Sequence, residues 1–311
     1  MAQARLVDKV VDVLNLRHAW SPAAGVFLGL ASTLYYYGVF KPWLALLTLI
    51  VVMSISFGSF FANDYADYLS GVDALVEEKD ATKWTGGGKP TVTGLISPRA
   101  LLMMASASFT IGGALGIYLV LITELWPLFA IGLLAAFTGA FYVAPPFKLS
   151  YRVYGVPEVL MPLNFTLLTV LATSYVQLGF IAPEPLLACV PALIAPLAPR
   201  LLGEIPDYDA DKAVGKLTMA ILIGKEEAAK AALYPVLLSS AALILEVASG
   251  LMPPHCLIAL AFAPLAAWKV YQARRVFQEG KRLVPCIKAG FLHLVGVKAL
   301  LALGFLLALQ R

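Results

Sequence analysis

The stretch that decides the fold is NDYADYLSGVD, residues 63–73, because it places several acids directly behind one of the most apolar runs of the chain. Ionisable side chains at the ends of membrane segments are costly and mark functional sites. A second stretch, GEIPDYDADK at residues 203–212, repeats this arrangement behind the apolar run 191–202. Two acidic clusters at the ends of two hydrophobic segments predict one shared cation site.

The composition of the 311 residues is that of a membrane protein. Hydrophobic residues make up 60% and charged residues 14% of the chain, and the mean hydropathy is +0.82. A membrane-spanning helix needs roughly 20 apolar residues, and we find nine such windows. We therefore predict an all-α membrane protein with nine transmembrane helices in a single domain, 1–311. The windows are 20–37, 43–62, 100–121, 125–144, 156–178, 185–202, 231–249, 255–271 and 289–309.

Basic residues indicate how the chain is oriented. Of the 23 Lys and Arg residues, 20 fall at the N-terminus or in alternate connections between the predicted helices. Because basic loops stay in the cytoplasm, this predicts a cytoplasmic N-terminus and an active site that faces the cytoplasm. The same bias accounts for the net charge of +4, which therefore does not indicate a nucleic-acid partner. The amphipathic residues 1–19 predict a helix on the membrane surface.

The spacing within each acidic cluster predicts convergent oxygen ligands. Residues three and four apart share one helix face, so Asn63, Asp64 and Asp67 form one polar stripe. Asp207 and Asp211 form another, whereas Asp209 points away. Asp73 follows the first stripe and reaches it only if the loop folds back. Carboxylates of this kind hold Mg²⁺ together with substrate phosphates, although acids solvated at a helix end, or an ion pathway, have the same pattern.

Basic and glycine-rich segments accompany both clusters, and they favour a phosphate ligand. TGGGKPTVTGLIS, residues 85–97, offers consecutive backbone N–H groups that suit an anion. YVAPPFKLSYRVY, residues 142–154, follows the fourth window. Carboxylates for a metal and cations for phosphate, beside an apolar interior, together indicate a pyrophosphate attached to a lipid tail. The basic side chains concerned are Lys83, Lys89, Lys148, Arg152, Lys212 and Lys216.

The sequence resembles the UbiA superfamily of intramembrane prenyltransferases, and within it the 1,4-dihydroxy-2-naphthoate polyprenyltransferases of menaquinone synthesis. The resemblance covers nearly the whole chain and rests on NDYADYLSGVD, GGGKPTVTGLISP, YVAPPFKLSYR and EIPDYDADKAVGK. It implies a bundle of nine helices around a lipid-open cavity. It also implies two Mg²⁺ ions that bridge the aspartates to a polyprenyl pyrophosphate.

Carried onto this chain, the resemblance assigns a role to individual residues. Metal ligation is implied for Asn63, Asp67, Asp207 and Asp211, with Asp64 and Asp73 in support, and pyrophosphate contact for Lys89, Lys148, Arg152 and Lys212. We take Asp67, Asp211, Lys148 and Arg152 as the catalytic residues. Lys83 and Tyr142 are further candidate substrate-binding residues. Asn164 is another, because a polar group in the middle of a predicted span needs a partner.

The predicted activity is Mg²⁺-dependent transfer of a polyprenyl group to an aromatic acceptor, with 1,4-dihydroxy-2-naphthoate the expected one. The expected partners are the pyrophosphate donor, this acceptor and the membrane lipid. Alternatives within the superfamily are another aromatic acceptor, a glycerol phosphate ether lipid, or the prenyl chain itself in a terpene cyclase. An ion-coupled transporter is an alternative of another class. Transporters, however, usually have broken helices at the membrane midplane, whereas the polar residues here lie at one face.

Overall fold

The computed structural model describes residues 2–310, with side chains from residue 8 onward, and every regular element in that part of the chain is a helix. The helices are α1 (Ala2–Val13), α2 (Leu16–Tyr37), α3 (Pro42–Ser70), α4 (Pro98–Thr123), α5 (Pro127–Ala140), α6 (Val156–Leu178), α7 (Pro183–Val214), α8 (Met219–Ile223), α9 (Lys225–Ala248), α10 (Pro254–Val276) and α11 (Gly280–Ala308). Short 3₁₀ helices lie at Val72–Leu75, Gly86–Gly88 and Leu149–Tyr151.

Seven of these helices are long and apolar enough to cross a membrane. They are α3, α4, α6, α7, α9, α10 and α11, so the prediction of an all-α membrane protein is confirmed. Helix α5 is apolar but shorter, and α2 begins with polar residues, Arg17 and His18. These two helices coincide with the remaining two predicted windows, and the count of nine crossings stays a prediction.

Close approach of α2, α6 and α11 builds the centre of the bundle. A Cβ atom at Gly29 would lie 2.9 Å from the side chain of Thr173, so the small residue allows α2 to pack directly on α6. Around this contact Leu28, Val170 and Leu301 are fully buried in one apolar cluster. This apolar core joins α2, α6 and α11 at the centre of the bundle.

A wide helical turn and a buried lysine interrupt this apolar core. Residues Leu163–Leu168 of α6 form a π-helical turn directly after Pro162. Lys298 of α11 is fully buried. Its Nζ donates to Phe165 O at 2.7 Å and to Ser21 Oγ at 2.9 Å. Since these acceptors lie on α6 and α2, one ammonium group joins three helices and satisfies a backbone carbonyl of the wide turn.

The loop between α3 and α4 is fastened at both sides. Asp80 accepts a hydrogen bond from Gly280 N, the first residue of α11, at 2.6 Å. Gly86 N donates to Asp207 Oδ1 on α7 at 2.9 Å. A Cβ atom at Gly280 would lie 2.9 Å from Asp80 Cα, so only glycine allows this contact. The loop thus connects the first acidic motif to the second motif and to the last helix.

Candidate active site

The first acidic motif is closed around one ammonium group. Helix α3 continues past its apolar part and carries Asp64 and Asp67, and the 3₁₀ turn after it returns Asp73 to the same place. Lys89 Nζ lies 3.2 Å from Asp64, 2.8 Å from Asp67 and 3.1 Å from Asp73. The loop does fold back, as the placement of Asp73 required. Three carboxylates therefore surround a single cation position.

A second ammonium group joins the first motif to the second. Lys216, just beyond the end of α7, lies 2.9 Å from Asp67 Oδ1 and 3.1 Å from Asp211 Oδ1. Asp67 contacts Lys89 through its other oxygen. The two motifs thus share one site with two adjacent cation positions, and Asp67 belongs to both.

Electrostatics in this cluster follow from burial and charge. Burial opposes the charged form of Lys89, but the three surrounding carboxylates outweigh it and hold its pKa well above the ordinary value. Burial likewise opposes the charge of Lys216, and attraction by the nearby aspartates raises its pKa. Burial is the main cause that raises the pKa of Asp73 to about 6, with Lys89 opposing and Asp67 adding to it.

The residue types of the site fit divalent cations. Among residues 2–310, no three Asp, Glu, His or Cys side chains are gathered closely enough to hold an ion by themselves. The carboxylates are instead arranged around the ammonium groups of Lys89 and Lys216. Asn63 Oδ1 is buried without a hydrogen-bond partner in the described chain, and it is the oxygen type that hard cations accept.

Two adjoining cavities extend from this cluster. A polar cavity of about 320 Å³ is lined by Asp67, Asp211, Lys89 and Lys216. An apolar cavity of about 410 Å³ lies between α3, α4, α5 and α6. Both cavities are bordered by Ser59, Asn164 and Phe165. Because the two cavities share this border, the charged cluster lies at one end of the apolar cavity. This arrangement suits a molecule with an anionic head and a hydrocarbon tail.

Comparison with known proteins identifies the family. The model of the "UbiA prenyltransferase family" matches residues 23–295, most of the chain and all of the site described above. The chain belongs to the UbiA prenyltransferase family. It is accordingly an integral, multi-pass membrane enzyme that transfers prenyl groups, and the resemblance in its motifs is confirmed.

Individual relatives agree with this family. The chain is 28% identical over 246 residues to a 1,4-dihydroxy-2-naphthoate octaprenyltransferase of Mycobacterium tuberculosis, with 79% of each chain covered. Its fold is similar to that of a UbiA homolog from Aeropyrum pernix (TM-score 0.65, 16% identity, 94% of this chain and 98% of that one). It is also similar to a UbiA homolog from Archaeoglobus fulgidus bound to GPP and Mg²⁺ (TM-score 0.56, 17% identity, 94% and 99% covered).

Some of the predicted substrate residues of this UbiA enzyme line the polar cavity and others do not. Lys83, Lys89, Tyr142 and Asn164 line it, together with Asn63, Asp64 and Asp207 of the predicted metal set. Asn164 Oδ1 accepts a hydrogen bond from Thr138 at 2.9 Å. Asp73 joins the cluster through its ion pair with Lys89. The acidic motifs and the glycine-rich loop therefore do assemble into one site.

The predicted basic pair Lys148 and Arg152 lies outside this cavity. Both side chains are exposed. Arg152 Nε donates to Phe147 O at 2.8 Å, and Lys148 lies over the Tyr151 ring. The spacing of four residues aligns side chains only in an α-helix, whereas this segment consists of turns around a 3₁₀ helix. Lys212 is also exposed and lies over Tyr208.

Sequence reasoning missed a buried polar network beside the cluster. Arg200 Nε lies 2.8 Å from Glu204, and its Nη2 donates to the Tyr142 hydroxyl at 2.5 Å. Glu158 Oε1 accepts from Met219 N at 2.9 Å, at the start of α8. In the sequence, the signal for this network is an Arg and a Glu four residues apart within an apolar run. Charged side chains inside a membrane segment are costly unless opposite charges pair with each other. Arg200 is one of the 20 basic residues counted for the orientation, although it lies within α7.

Proposed function

We propose that this enzyme transfers a polyprenyl group from polyprenyl pyrophosphate to an aromatic acceptor, 1,4-dihydroxy-2-naphthoate, with Mg²⁺ and from the cytoplasmic side. The observation that carries the proposal is the contact of Asp67 with both Lys89 and Lys216 at the entrance to an apolar chamber. Such a site fits an anionic head on a hydrocarbon tail. The bound GPP and Mg²⁺ of the Archaeoglobus homolog support the donor and the metal.

Donor binding follows from the two cavities. The pyrophosphate lies in the polar cavity, where Lys89 and Lys216 supply charge-assisted contacts. The prenyl tail extends past Asn164 and Phe165, which border both cavities, into the apolar cavity. Mg²⁺ would be held by Asn63, Asp67, Asp207 and Asp211, with Asp64 and Asp73 in support.

The reaction is an electrophilic substitution. The allylic C–O bond breaks, and its electron pair leaves with the pyrophosphate. A ring carbon of the acceptor forms the new C–C bond, and the group that it held departs as CO₂ from the naphthoate or as a proton from another ring. When bound, Mg²⁺ supplies positive charge that stabilises the departing pyrophosphate. Lys89 and Lys216, fixed before the reaction, act on the same developing charge.

The acceptor is supported by the naphthoate relative of 28% identity, and product analysis tests it. Purified protein is given Mg²⁺, a radiolabelled polyprenyl pyrophosphate and a panel of acceptors. The panel holds 1,4-dihydroxy-2-naphthoate, 4-hydroxybenzoate and glycerol 1-phosphate. We expect a prenylated naphthoquinol. A prenylated hydroxybenzoate, an ether lipid or a cyclised hydrocarbon would each contradict the proposed acceptor and identify one of the alternatives.

A further inference from the structure

Lys298 is a fully buried ammonium group in the last membrane helix, and the reaction described above does not use it. We infer that Lys298 is a positioning residue for the prenyl tail of the donor, because it holds the backbone at the border between the polar and the apolar cavities. The inference rests on the proposed function, since it presupposes a donor with a hydrocarbon tail. It concerns the contacts of α11 with α2 and with the wide turn of α6.

The ammonium group of Lys298 uses all of its N–H groups on neutral oxygens. Its Nζ lies 2.7 Å from Phe165 O, 2.9 Å from Ser21 Oγ and 3.2 Å from Ser21 O, and an ammonium group has three donors. None of these acceptors carries a charge. An ionisable side chain inside a membrane segment is costly and marks a functional site. The acceptors of this lysine therefore indicate its role.

The wide turn of α6 leaves the Phe165 carbonyl without its usual donor. In a regular α-helix this carbonyl accepts from the N–H group four residues further on, that of Thr169. Here the Thr169 N–H group donates to Thr166 O instead. Lys298 supplies a donor to Phe165 O at 2.7 Å, and the Thr169 hydroxyl donates to Asn164 O at 2.9 Å. Side chains thus hold two successive carbonyls where the regular backbone pattern is interrupted.

The two residues that are held in this way lie between the cavities. Asn164 and Phe165 border both the polar and the apolar cavity. The Asn164 side chain accepts from Thr138 at 2.9 Å, and the Phe165 ring centroid lies 5.4 Å from that of Phe60. A wide turn inserts one residue into a helix, so its shift by one position rotates the side chains by about 100°. Loss of the Lys298 contact therefore turns this pair away from the path of the tail.

A glycine of α2 approaches the same carbonyl from the other side. A Cβ atom at Gly25 would lie 3.0 Å from Phe165 O, so an added methyl group crowds the oxygen that Lys298 holds. One turn further along α2, a Cβ atom at Gly29 would lie 2.9 Å from Thr173, which borders neither cavity. The two glycines therefore offer a matched pair of variants. Both crowd α2 against α6, and only one of them touches the border.

Binding measurements on the full-length protein in detergent with Mg²⁺ test the inference. The probes are inorganic pyrophosphate, dimethylallyl pyrophosphate and geranylgeranyl pyrophosphate, which share the head and differ in the tail. Wild-type protein is expected to bind the long tail about a hundredfold more tightly than the short one, because the long tail buries more apolar surface. Lys298→Met is expected to lower this ratio about tenfold and to leave the binding of inorganic pyrophosphate unchanged. Lys298→Arg keeps donors for Phe165 O and is expected to restore part of the ratio.

Matched variants separate this positioning role from a general role in packing. Gly25→Ala is expected to lower the ratio as Lys298→Met does, whereas Gly29→Ala is expected to keep it. Lys281→Met, which removes an exposed lysine of the same helix, is also expected to keep it. In prenyl transfer, Lys298→Met is expected to raise the KM for the long donor with little change in kcat. A purely structural role would lower the amount of folded enzyme and leave both the KM and the ratio unchanged.

An unchanged ratio in Lys298→Met would overturn the inference, as would an unchanged ratio in Gly25→Ala where the lysine variant does not fold. An equal fall in Gly29→Ala would also overturn it, because the effect would then come from crowding of α2 and α6 in general. The transfer assay keeps these outcomes apart from the function. If an aromatic acceptor is prenylated but the ratio does not depend on Lys298, the inference is wrong and the function stands. If the ratio depends on Lys298 but no acceptor is prenylated, the inference stands and the function is wrong.

Discussion

The ammonium group of Lys216 lies 2.9 Å from Asp67, and this ion pair joins the two acidic motifs of the chain. Asp67 is on α3 and Lys216 follows α7, so the contact fixes the ends of two helices against each other. Because Asp67 also contacts Lys89 at 2.8 Å, its carboxylate is the one group in the described part of the chain that belongs to both cation positions. The site therefore depends more strongly on Asp67 than on any single neighbour.

Asp67→Asn is expected to abolish turnover. The amide keeps the shape of the side chain but loses the charge at both cation positions, and a loss of about 4 kcal/mol in transition-state stabilisation corresponds to about a thousandfold in rate. The measurement is steady-state prenyl transfer at saturating Mg²⁺. Asp209→Asn is the matched control, because Asp209 is exposed and pairs with Lys225 away from the cluster. Similar modest losses in both variants would contradict the shared site.

Lys216→Met is expected to weaken donor binding by about tenfold or more, since it removes one charge-assisted contact to the pyrophosphate. The Lys216 side chain is 11% exposed within the cluster, whereas Lys148 is exposed and lies outside the cavity. Titration with a polyprenyl pyrophosphate in Mg²⁺ measures the effect. A larger loss in Lys148→Met than in Lys216→Met would favour the sequence-based assignment over the geometry.

Metal affinity is expected to fall as the pH drops through about 6. The raised pKa of Asp73 means that the proton competes with the metal for this carboxylate in that range. Above the pKa the carboxylate is charged and supports the metal, and below it the support is lost. Mn²⁺ binding between pH 5 and 8, followed by electron paramagnetic resonance, measures the change. Asp73→Asn is expected to bind Mn²⁺ more weakly at pH 8 and to lack this step; a step of unchanged size in the variant would contradict the assignment.

Cysteine labelling tests the orientation in the membrane. Lys79 and Ser249 are both exposed. Lys79 lies in one connection and Ser249 directly precedes another, and the predicted topology places these two connections on opposite sides. Lys79→Cys is expected to react with an impermeant maleimide only from the cytoplasm, and Ser249→Cys only from outside. The three natural cysteines are buried and provide a low background. Reaction of both variants from the same side would contradict the topology.

Local patterns in the sequence predicted the helices and the acidic stripes, because both depend only on neighbours along the chain. The stripe of Asp64 and Asp67 follows from helical spacing, and the apolar windows follow from the thickness of the membrane. That this stripe meets Asp211 was predicted because each acidic cluster follows a hydrophobic segment. The helices and the stripes, unlike that meeting, need no knowledge of how distant segments pack.

The basic residues of the site were harder to predict, because loops bring them into place. Lys216 reaches Asp67 because the chain turns sharply at Gly215, whose φ is +80°. Arg152 has the right charge and spacing, but its segment is not an α-helix and the side chain bonds to its own turn. The neighbouring rings of His18, Phe60, Trp84 and Phe291 come from four separate segments, for which single-residue patterns carry no signal.

The hydrogen bond between Asp80 and Gly280 has a consequence for biosynthesis. The loop that carries Lys89 is anchored at the first residue of the last membrane helix, so the ribosome has made nearly the whole chain before this anchor exists. Nascent chains that stop short of α11 lack this hydrogen bond, and their loop is held through its contacts with α3 and α7. Membrane insertion of α11 is therefore the step that adds the last of these attachments to the loop beside the two acidic motifs.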